Sequence, residues 1–541
     1  MEYFNLASKN NHVISHTQVT KLINKLKPGC APGQDGITAE HLKYALDTDL
    51  VSYLSHMLTI CYQHGITPTC FNEGLLIPIL KKPTANQTEP KNYRPIVISN
   101  TFSKIMELYI LQEASPNLNL MQFGFISNRG TDMAVALTND VIQWCVSRGS
   151  PVYSCSLDAE GAFDAIPHPI LFRKAIGHIE PNCWKLMFYW YSKLSVKVKW
   201  NSVVGKSINI CKGTRQGGLT SPLLFNIFYS DLVNELCNME GGISIKNHHY
   251  NVFCYADDLL LTSTTVTGLQ RMIDYSNEYI TSHGLRFNPK KTNCLIFGKH
   301  QFIHEPLWTL NEENLISTES IKYLGVTLSN KVNGEQHAIS RVAACRQAFY
   351  GLQGSGIYNF LQDARTISHL YRAALQPILT YGIHTVHLSN SNCKTLDRCQ
   401  GNMIKSAVGI NTNSRTTALL AAMKILRITQ ARDIQTVNLV KRIFQFPSGA
   451  RQFYKDMYYE RHGQKPNLVS RAYNICKLHH VSLAKCIFID YYYKNVKRLI
   501  TGPTINDGLV DSVVTAMNIK CKVERHDTLS GLLRPPHMYK V

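Results

Sequence analysis

The ten residues Val252–Leu261, VFCYADDLLL, constrain this chain more than any other stretch. Two adjacent acids, Asp257 and Asp258, stand between two apolar runs. This pattern indicates a β-hairpin whose strands are buried and whose tight turn carries the acids at one end of a sheet. Two like charges beside buried neighbours are costly. A divalent cation shared with a third acid would remove that cost, so the sequence predicts a metal site rather than an exposed acidic turn.

The third acid is predicted to be Asp158. It follows the apolar run Val152–Leu157, which indicates a buried strand ending at the acid. If this strand is a neighbour of the hairpin, Asp158 points into the same space as Asp257 and Asp258. Carboxylate oxygens are hard ligands that suit Mg²⁺. Asp164, six residues further on, is explained equally well as a helix cap.

The charge of the chain is unevenly distributed. Of 541 residues, 44% are hydrophobic and 17% charged, which is typical of a globular protein with several domains. Residues 1–330 carry 28 Lys and Arg against 26 Asp and Glu, whereas residues 331–430 carry 11 against 3 and residues 431–541 carry 18 against 8. Most of the net charge of +20 therefore lies in the second half. We expect that half to bind an anionic polymer.

Other features exclude several classes of protein. The 16 cysteines show no paired short spacings, which favours a reducing compartment. The first residues lack the apolar core of a signal peptide, and no run approaches the ~18 apolar residues that span a bilayer. We therefore expect a soluble, intracellular protein. The group Cys476, His479, His480 and Cys486 matches no standard zinc finger, so no zinc is predicted there.

Basic side chains are expected where two predicted strands within residues 75–100 meet a polar loop. Lys81, Lys82 and Arg94 lie at these strand ends and suit a phosphate-bearing ligand, Arg through its two-pronged guanidinium. Solvated surface charge explains one of the lysines better, and Arg94 is the stronger candidate.

The remaining pattern is a glycine-rich loop followed by helices. The run VKVKWNSVV from residue 196 predicts one alternating strand, and the loop Lys212–Pro222 precedes a helix. From about residue 335 the pattern is helical and basic. Clustered tyrosines after residue 431 favour stacking on bases, but amphipathic helices in a core explain them as well.

Taken in order, these elements resemble a reverse transcriptase of the non-LTR (LINE-like) retrotransposon class over residues 20–430. Seven motifs carry the resemblance: Lys27–Gly36 (KPGCAPGQDG), Asn92–Ile96, Gln122–Gly130, Asp158–Asp164, Arg215–Ser221, Tyr255–Asp258 and Tyr323–Gly325. It implies an α+β right-hand polymerase fold with fingers, a palm with an antiparallel sheet and a helical thumb. The predicted division is 1–60 for an N-terminal extension and the start of the fingers, 61–330 for fingers and palm, 331–430 for the thumb and 431–541 for a basic helical nucleic-acid-binding region.

The resemblance also assigns roles to residues. The catalytic and metal-binding acids are Asp158, Asp257 and Asp258, holding two Mg²⁺ ions for which Mn²⁺ can substitute. Phe163 matches the bulky residue that rejects a ribose 2′-hydroxyl, and Lys290 or Lys291 lies near the triphosphate. The nucleotide-binding residues are thus Lys82, Arg94, Phe163, Gln216, Gly217 and Lys290, and those holding the primer are Tyr323, Leu324 and Gly325.

The implied activity is RNA-directed DNA synthesis. The implied partners are an RNA template, a DNA primer or nicked target DNA, and dNTPs, with no membrane, in a ribonucleoprotein of the nucleus and cytoplasm. An endonuclease, usual in this class, is not recognised, so we expect the polymerase portion of a longer element or a truncated copy. The alternatives are an inactive relic that binds RNA or DNA, and a group II intron maturase or telomerase-like enzyme, against which the KPGCAPGQDG loop argues.

Overall fold

A computed structural model describes residues 12–299, 306–355, 364–458 and 467–501. The helices of the first part are α1 His16–Lys25, α2 Ala39–Tyr44, α3 Leu50–His64, α4 Thr69–Asn72, α5 Thr101–Glu113, α6 Thr131–Ser147, α7 Ala162–Ala165, α8 His168–Lys174, α9 Pro181–Ser192, α10 Ser221–Asn238 and α11 Val266–Ser282. The later ones are α12 Glu335–Gly354, α13 Ala364–Leu370, a π-helical turn Tyr371–Leu375, α14 Gln376–Thr380, α15 Asn390–Ala407, α16 Thr416–Ala422, α17 Ile428–Gln445, α18 Gly449–Tyr458, α19 Leu468–Leu478, α20 Leu483–Phe488 and α21 Asp490–Thr501.

Within the described ranges, the strands form two larger sheets and three short hairpins. They are β1 Glu73–Leu80, β2 Tyr93–Ile98, β3 Val152–Leu157, β4 Ser195–Trp200, β5 Val203–Asn209, β6 Ser244–Ile245, β7 His248–His249, β8 Val252–Tyr255, β9 Asp258–Ser263, β10 Asn293–Phe297, β11 Thr309–Leu310, β12 Glu313–Asn314, β13 Ile316–Ser317, β14 Ser320–Tyr323 and β15 Val326–Ser329. The central sheet has the order β13-β10-β3-β9-β8, and a second sheet has the order β2-β1-β4-β5. The predicted α+β class is confirmed.

The acidic stretch forms the predicted hairpin at the edge of the central sheet. Strands β8 and β9 pair antiparallel from Val252 opposite Leu261 to Tyr255 opposite Asp258. Strand β3 lies against the other side of β9, with Leu157 opposite Leu259. Apolar side chains of β3, β8 and β9 are fully buried, as continuous apolar runs require when both faces of a sheet are covered.

One predicted strand was wrong. The stretch expected to form a single alternating strand is the hairpin β4–β5. Asn201 lies in its turn with φ +53°, a left-handed conformation that Asn tolerates well. The sequence N-S between two β-branched runs was the available signal for this turn.

Two hydrophobic cores organise the residues that the structure describes. One consists of buried residues between Ala338 and Ile428, from helices α12 to α17. The other runs from Ile14 through the central sheet and also contains residues from Val437 to Ile500. The end of the described chain therefore packs into the same core as the central sheet. Tyr492 and Tyr493 pack against this core, and Tyr459 lies outside the described residues. The predicted domain boundaries and the nucleic-acid binding by residues 431–541 stay predictions.

A buried acid fastens these C-terminal helices to α6. The side chain of Asp140 is fully buried and accepts hydrogen bonds from Tyr454 Oη and from the backbone N–H of Leu468, both at 2.7 Å. His387 Nε2 lies 2.9 Å from the same carboxylate. Burial alone raises the pKa of Asp140, but the hydrogen bond and charge of His387 and the nearby Arg471 hold that pKa below its ordinary value.

Replacing Asp140 with alanine should destabilise the fold by about 3–5 kcal/mol, because Arg471 and His387 would lose a buried partner. Urea denaturation measures the free energy of unfolding. Asp47→Ala, at an exposed acid, is the control and should change the free energy by less than about 0.5 kcal/mol. Equal effects of the two substitutions would contradict the role given to Asp140.

Candidate active site

The three predicted acids meet at one edge of the central sheet. Because Leu157 pairs with Leu259, continuing the antiparallel register by one residue places Asp158 opposite Asp258. Asp257 occupies the turn between β8 and β9, next to Asp258. Strands that pair in this way lie about 5 Å apart, so the three carboxylates share one space.

The charges of neighbouring carboxylates raise the pKa values of Asp257 and Asp258. Desolvation raises the pKa of Asp257, and the charge of Asp158 raises it further. Desolvation, then Asp257 and then Asp158, raise the pKa of Asp258 to about 6. Part of the Asp258 side chain is exposed to solvent at the sheet edge.

The turn that carries the acids is held from below by Gln122. Its Oε1 accepts the backbone N–H of Ala256 at 3.0 Å and that of Gly124 at 2.8 Å. Ala256 has φ +57°, a conformation rarely adopted outside such turns. A Cβ on Gly124 would lie 2.3 Å from Ala256 N, so only glycine allows this approach. The sequence identifies Gln122 only as part of a motif. It does not predict that the buried amide of Gln122 supports this turn.

Lys291 is the lysine that reaches the acids. Its Nζ lies 3.3 Å from Asp158 Oδ2, and the backbone N–H of Asn288 donates to Asp158 O at 2.9 Å. Both lysines left open by the sequence are exposed, and Lys291 is the one whose ammonium group reaches Asp158. The assignment of Lys290 to the nucleotide stays a prediction. Neighbouring lysines on a loop cannot be distinguished until the loop's path is known.

The glycine-rich loop brings Gln216 next to Asp164. Gln216 Nε2 donates to Asp164 Oδ1 at 2.6 Å, and the charge of Lys81 also acts on Asp164. Gly217 is exposed and Gln216 is partly exposed, and their contact with a nucleotide stays a prediction. Asp164 lies within α7, whose N-cap is Gly161, and the cap of α8 is Pro167, so Asp164 caps neither helix and contacts Gln216 instead. Lys82 and Arg94 are exposed near the ends of β1 and β2.

Phe163 has a fixed position in this site. Its ring stacks on Phe225 with centroids 4.0 Å apart and meets the edge of Phe125 at 6.0 Å. The ring is partly buried, so one side stays accessible. A rigid aromatic wall of this kind can discriminate between ligands by shape.

The predicted primer-holding residues divide into two kinds. Tyr323 is buried and its hydroxyl donates to Phe253 O at 3.2 Å, so its side chain supports β8. Leu324 and Gly325 form the turn between β14 and β15, with φ +48° and +79°. Tyr381 Oη donates to Leu324 O at 2.8 Å, which connects this turn to the helical second core.

The carboxylates fit a hard divalent cation by their chemistry and their charge. Their oxygens are the preferred donors, and their mutual repulsion is what a cation would relieve. In the described ranges, no group of three or more His, Cys, Asp or Glu side chains is already arranged to hold a metal ion, and this applies to the three acids as well. Lys291 supplies the positive charge that contacts Asp158.

Comparison with known proteins identifies the family. Residues 79–328, which contain all of these acids, match the family model described as reverse transcriptase (RNA-dependent DNA polymerase). This segment belongs to the reverse transcriptase family.

Relatives of this chain include proteins of mobile elements. The RNA-directed DNA polymerase from mobile element jockey of Drosophila funebris is 25% identical over 430 residues, covering 76% of this chain and 46% of the relative. A retrotransposable element R2 polyprotein of Nasonia vitripennis is 26% identical over 317 residues, covering 56% and 30%. The chain thus spans about half the length of the jockey relative. The predicted resemblance to the non-LTR class is confirmed.

A structural comparison gives a weaker likeness. Apo telomerase from Candida tropicalis aligns with a TM-score of 0.33 and 13% identity, covering 49% of this chain and 54% of that one. The predicted right-hand polymerase fold is confirmed by the family match and not by this likeness. We call the central sheet, which carries the three acids, the palm sheet. None of the described helices of this chain is long and apolar enough to cross a membrane.

Asp258→Asn should stabilise the metal-free chain in a pH-dependent way. The pKa of about 6 in the folded chain lies above the ordinary value of 3.8, so the folded state holds its proton longer and stability falls as pH rises between these values. The substitution should therefore raise the melting temperature more at about pH 7.5 than at about pH 4.5.

Asp274→Asn, at an exposed acid outside this group of three, is the matched control and should change the free energy of unfolding by less than about 0.5 kcal/mol. Added Mg²⁺ should stabilise the wild type more than Asp258→Asn. A melting temperature for Asp258→Asn that is unchanged, or lowered equally at both pH values, would contradict the repulsion.

Proposed function

We propose that this chain is an RNA-directed DNA polymerase that extends a DNA primer on an RNA template with dNTPs. The observation that carries the proposal is the convergence of Asp158, Asp257 and Asp258 at one edge of the palm sheet. Family membership supports it, because the match covers all three acids. The inactive, RNA- or DNA-binding relic is less favoured, since the acids, Phe163 and Gln216 are all in place.

Reverse transcriptases generally use divalent metal ions, and we propose two Mg²⁺ ions here, with Mn²⁺ as a substitute. Asp158, Asp257 and Asp258 would hold them, and the metals would lower the pKa of the primer 3′-hydroxyl and neutralise charge on the leaving pyrophosphate. The raised pKa values of Asp257 and Asp258 make this metal binding sensitive to pH, since protons compete for the same oxygens.

The other residues bind and orient the substrates. Lys291 lies beside Asp158 and can neutralise phosphate charge next to the acids. Lys82 and Arg94 at the exposed strand ends are proposed to contact the triphosphate, Arg94 through two parallel hydrogen bonds. The turn Leu324–Gly325 is proposed to hold the primer end.

Replacing Asp257 with alanine should reduce primer extension at least about 10³-fold, because a carboxylate that stabilises the transition state is removed. Extension of a labelled DNA primer on an RNA template with dNTPs and Mg²⁺ measures this, and a chelator should abolish the wild-type signal. Template binding should change by less than about threefold.

Asp274→Ala serves as the control and should extend the primer normally. A wild-type chain that binds the template but adds no nucleotide would favour the relic instead.

Phe163→Ala should weaken the discrimination of dNTPs against rNTPs by about tenfold or more, because the wall facing the 2′-hydroxyl is shortened. The ratio of kcat/KM for the two nucleotides measures it. Phe188→Ala, at a partly exposed ring on α9, should leave that ratio unchanged. Equal ratios in Phe163→Ala and the wild type would remove Phe163 from this role.

We propose that the protein acts as a ribonucleoprotein in the nucleus and cytoplasm, because its substrates are RNA and DNA. Fractionation of cells that express a tagged chain together with its RNA tests this.

An endonuclease domain outside this chain is also part of the proposal, since the chain spans about half of its jockey relative.

A further inference from the structure

Glu107 on α5 is a buried carboxylate that lies outside the acids of the active site. Its side chain is 2% exposed. A buried charge of this kind is tolerated only when charged and hydrogen-bonding partners surround it. All of the partners that contact Glu107 belong to the glycine-rich loop or to its junction with α10.

Three contacts connect Glu107 to this loop. Its Oε1 accepts from Arg215 Nη2 at 2.7 Å and from Thr220 Oγ1 at 3.2 Å, and its Oε2 accepts the backbone N–H of Leu219 at 3.1 Å. The residues contacted stand on both sides of Gln216–Gly218. A single carboxylate thus fixes both ends of the segment that carries Gln216.

The other side of the loop is fixed by strand β2. The backbone N–H of Val97 donates to Gln216 O at 2.7 Å. A Cβ on Gly217 would lie 2.5 Å from Val97 O, and Gly217 has φ +107°, so this approach requires glycine. The loop is therefore held between Val97 and Glu107, with the Gln216 amide directed at Asp164.

We propose that Glu107 is a positioning residue of the nucleotide site. Through Arg215, Leu219 and Thr220 it holds Gln216 and Gly217 in the geometry that receives the incoming dNTP. The inference rests on the proposed polymerase function and deepens it. The site thereby depends on a residue that contacts neither the nucleotide nor the acids.

The contact pattern argues against an ion pair that serves stability alone. Buried ion pairs contribute little net stability compared with apolar packing. Arg215 has other partners, because its guanidinium carbon lies 5.0 Å from the Trp190 ring centre and its Nη1 donates to Phe71 O at 3.5 Å. The bonds of Glu107 to Leu219 and Thr220 add no charge pairing and fix only the path of the loop.

Two substitutions test the proposal in steady-state primer extension. Glu107→Gln keeps the side-chain shape but turns a donor toward Arg215, and should raise KM for dNTP about tenfold with kcat nearly unchanged. Thr220→Val removes one hydrogen bond without leaving a charge unpaired, and should raise KM roughly threefold. Thr220 makes no side-chain cap to α10, so that helix keeps its start.

Matched controls separate this role from general damage. Thr138→Val removes a buried hydroxyl that donates to Ala134 O at 2.9 Å within α6, and Glu73→Gln breaks the ion pair with Lys197. Both should leave KM for dNTP unchanged. The affinity for template and primer should be the same in all four variants.

A second measurement does not need polymerase activity. Arg215 is buried, so trypsin should cut slowly between Arg215 and Gln216 in the wild type and several times faster in Glu107→Gln, as mass spectrometry would show. A raised KM together with faster cleavage supports the proposal.

An unchanged KM for dNTP in Glu107→Gln overturns the inference. So does a variant in which kcat and the affinity for template fall while KM for dNTP stays the same. A wild-type chain without polymerase activity would overturn the proposed function, and unchanged cleavage at Arg215 would then still overturn the role of Glu107.

Discussion

The mutual repulsion of three carboxylates at one edge of the palm sheet is the constraint on which the rest of the structure depends. Asp158 directly follows β3, Asp258 begins the adjacent strand β9, and Asp257 lies in the turn between β8 and β9. Besides desolvation, the charge of Asp158 raises the pKa of Asp257, and the charges of Asp257 and Asp158 raise the pKa of Asp258. The fold maintains this arrangement because the strands beneath are buried on both faces. A turn that must carry such charge needs support, which Gln122 gives through the backbone of Ala256.

Polar side chains support other loops around the acids in the same way. The loops that we propose to bind substrates lie at the surface, and each is held by a polar side chain from another part of the chain. Gln122 supports the acidic turn, Glu107 supports the glycine-rich loop, and Tyr381 connects the β14–β15 turn to the second core. Polar groups suit this task because their hydrogen bonds fix direction as well as distance. Asp140 does the same at larger scale, since it joins α6 to the C-terminal helices.

Much of the site could be predicted from local sequence. An apolar run ending in an acid defines where a strand stops, so Asp158, Asp257 and Asp258 could be assigned to one sheet edge before the structure was known. The strand 196–204 was predicted wrongly because the polar turn at Asn201 is short and its flanks share one pattern. Lys291, Gln122 and Glu107 could not be assigned, because their partners are distant in sequence: Glu107 and Arg215 are separated by 108 residues.

The sequence by itself determined the strands that carry the acids, the position of the acids within them and the resemblance to the non-LTR class, because strand burial, turns and motif order are local properties. Only the tertiary structure decided which lysine reaches Asp158, that the helices after Val437 complete the first core, and which buried polar groups hold the loops. These depend on pairing between segments far apart in the chain. The energy of a buried charge is set by the partners that folding brings to it, and sequence spacing does not record them.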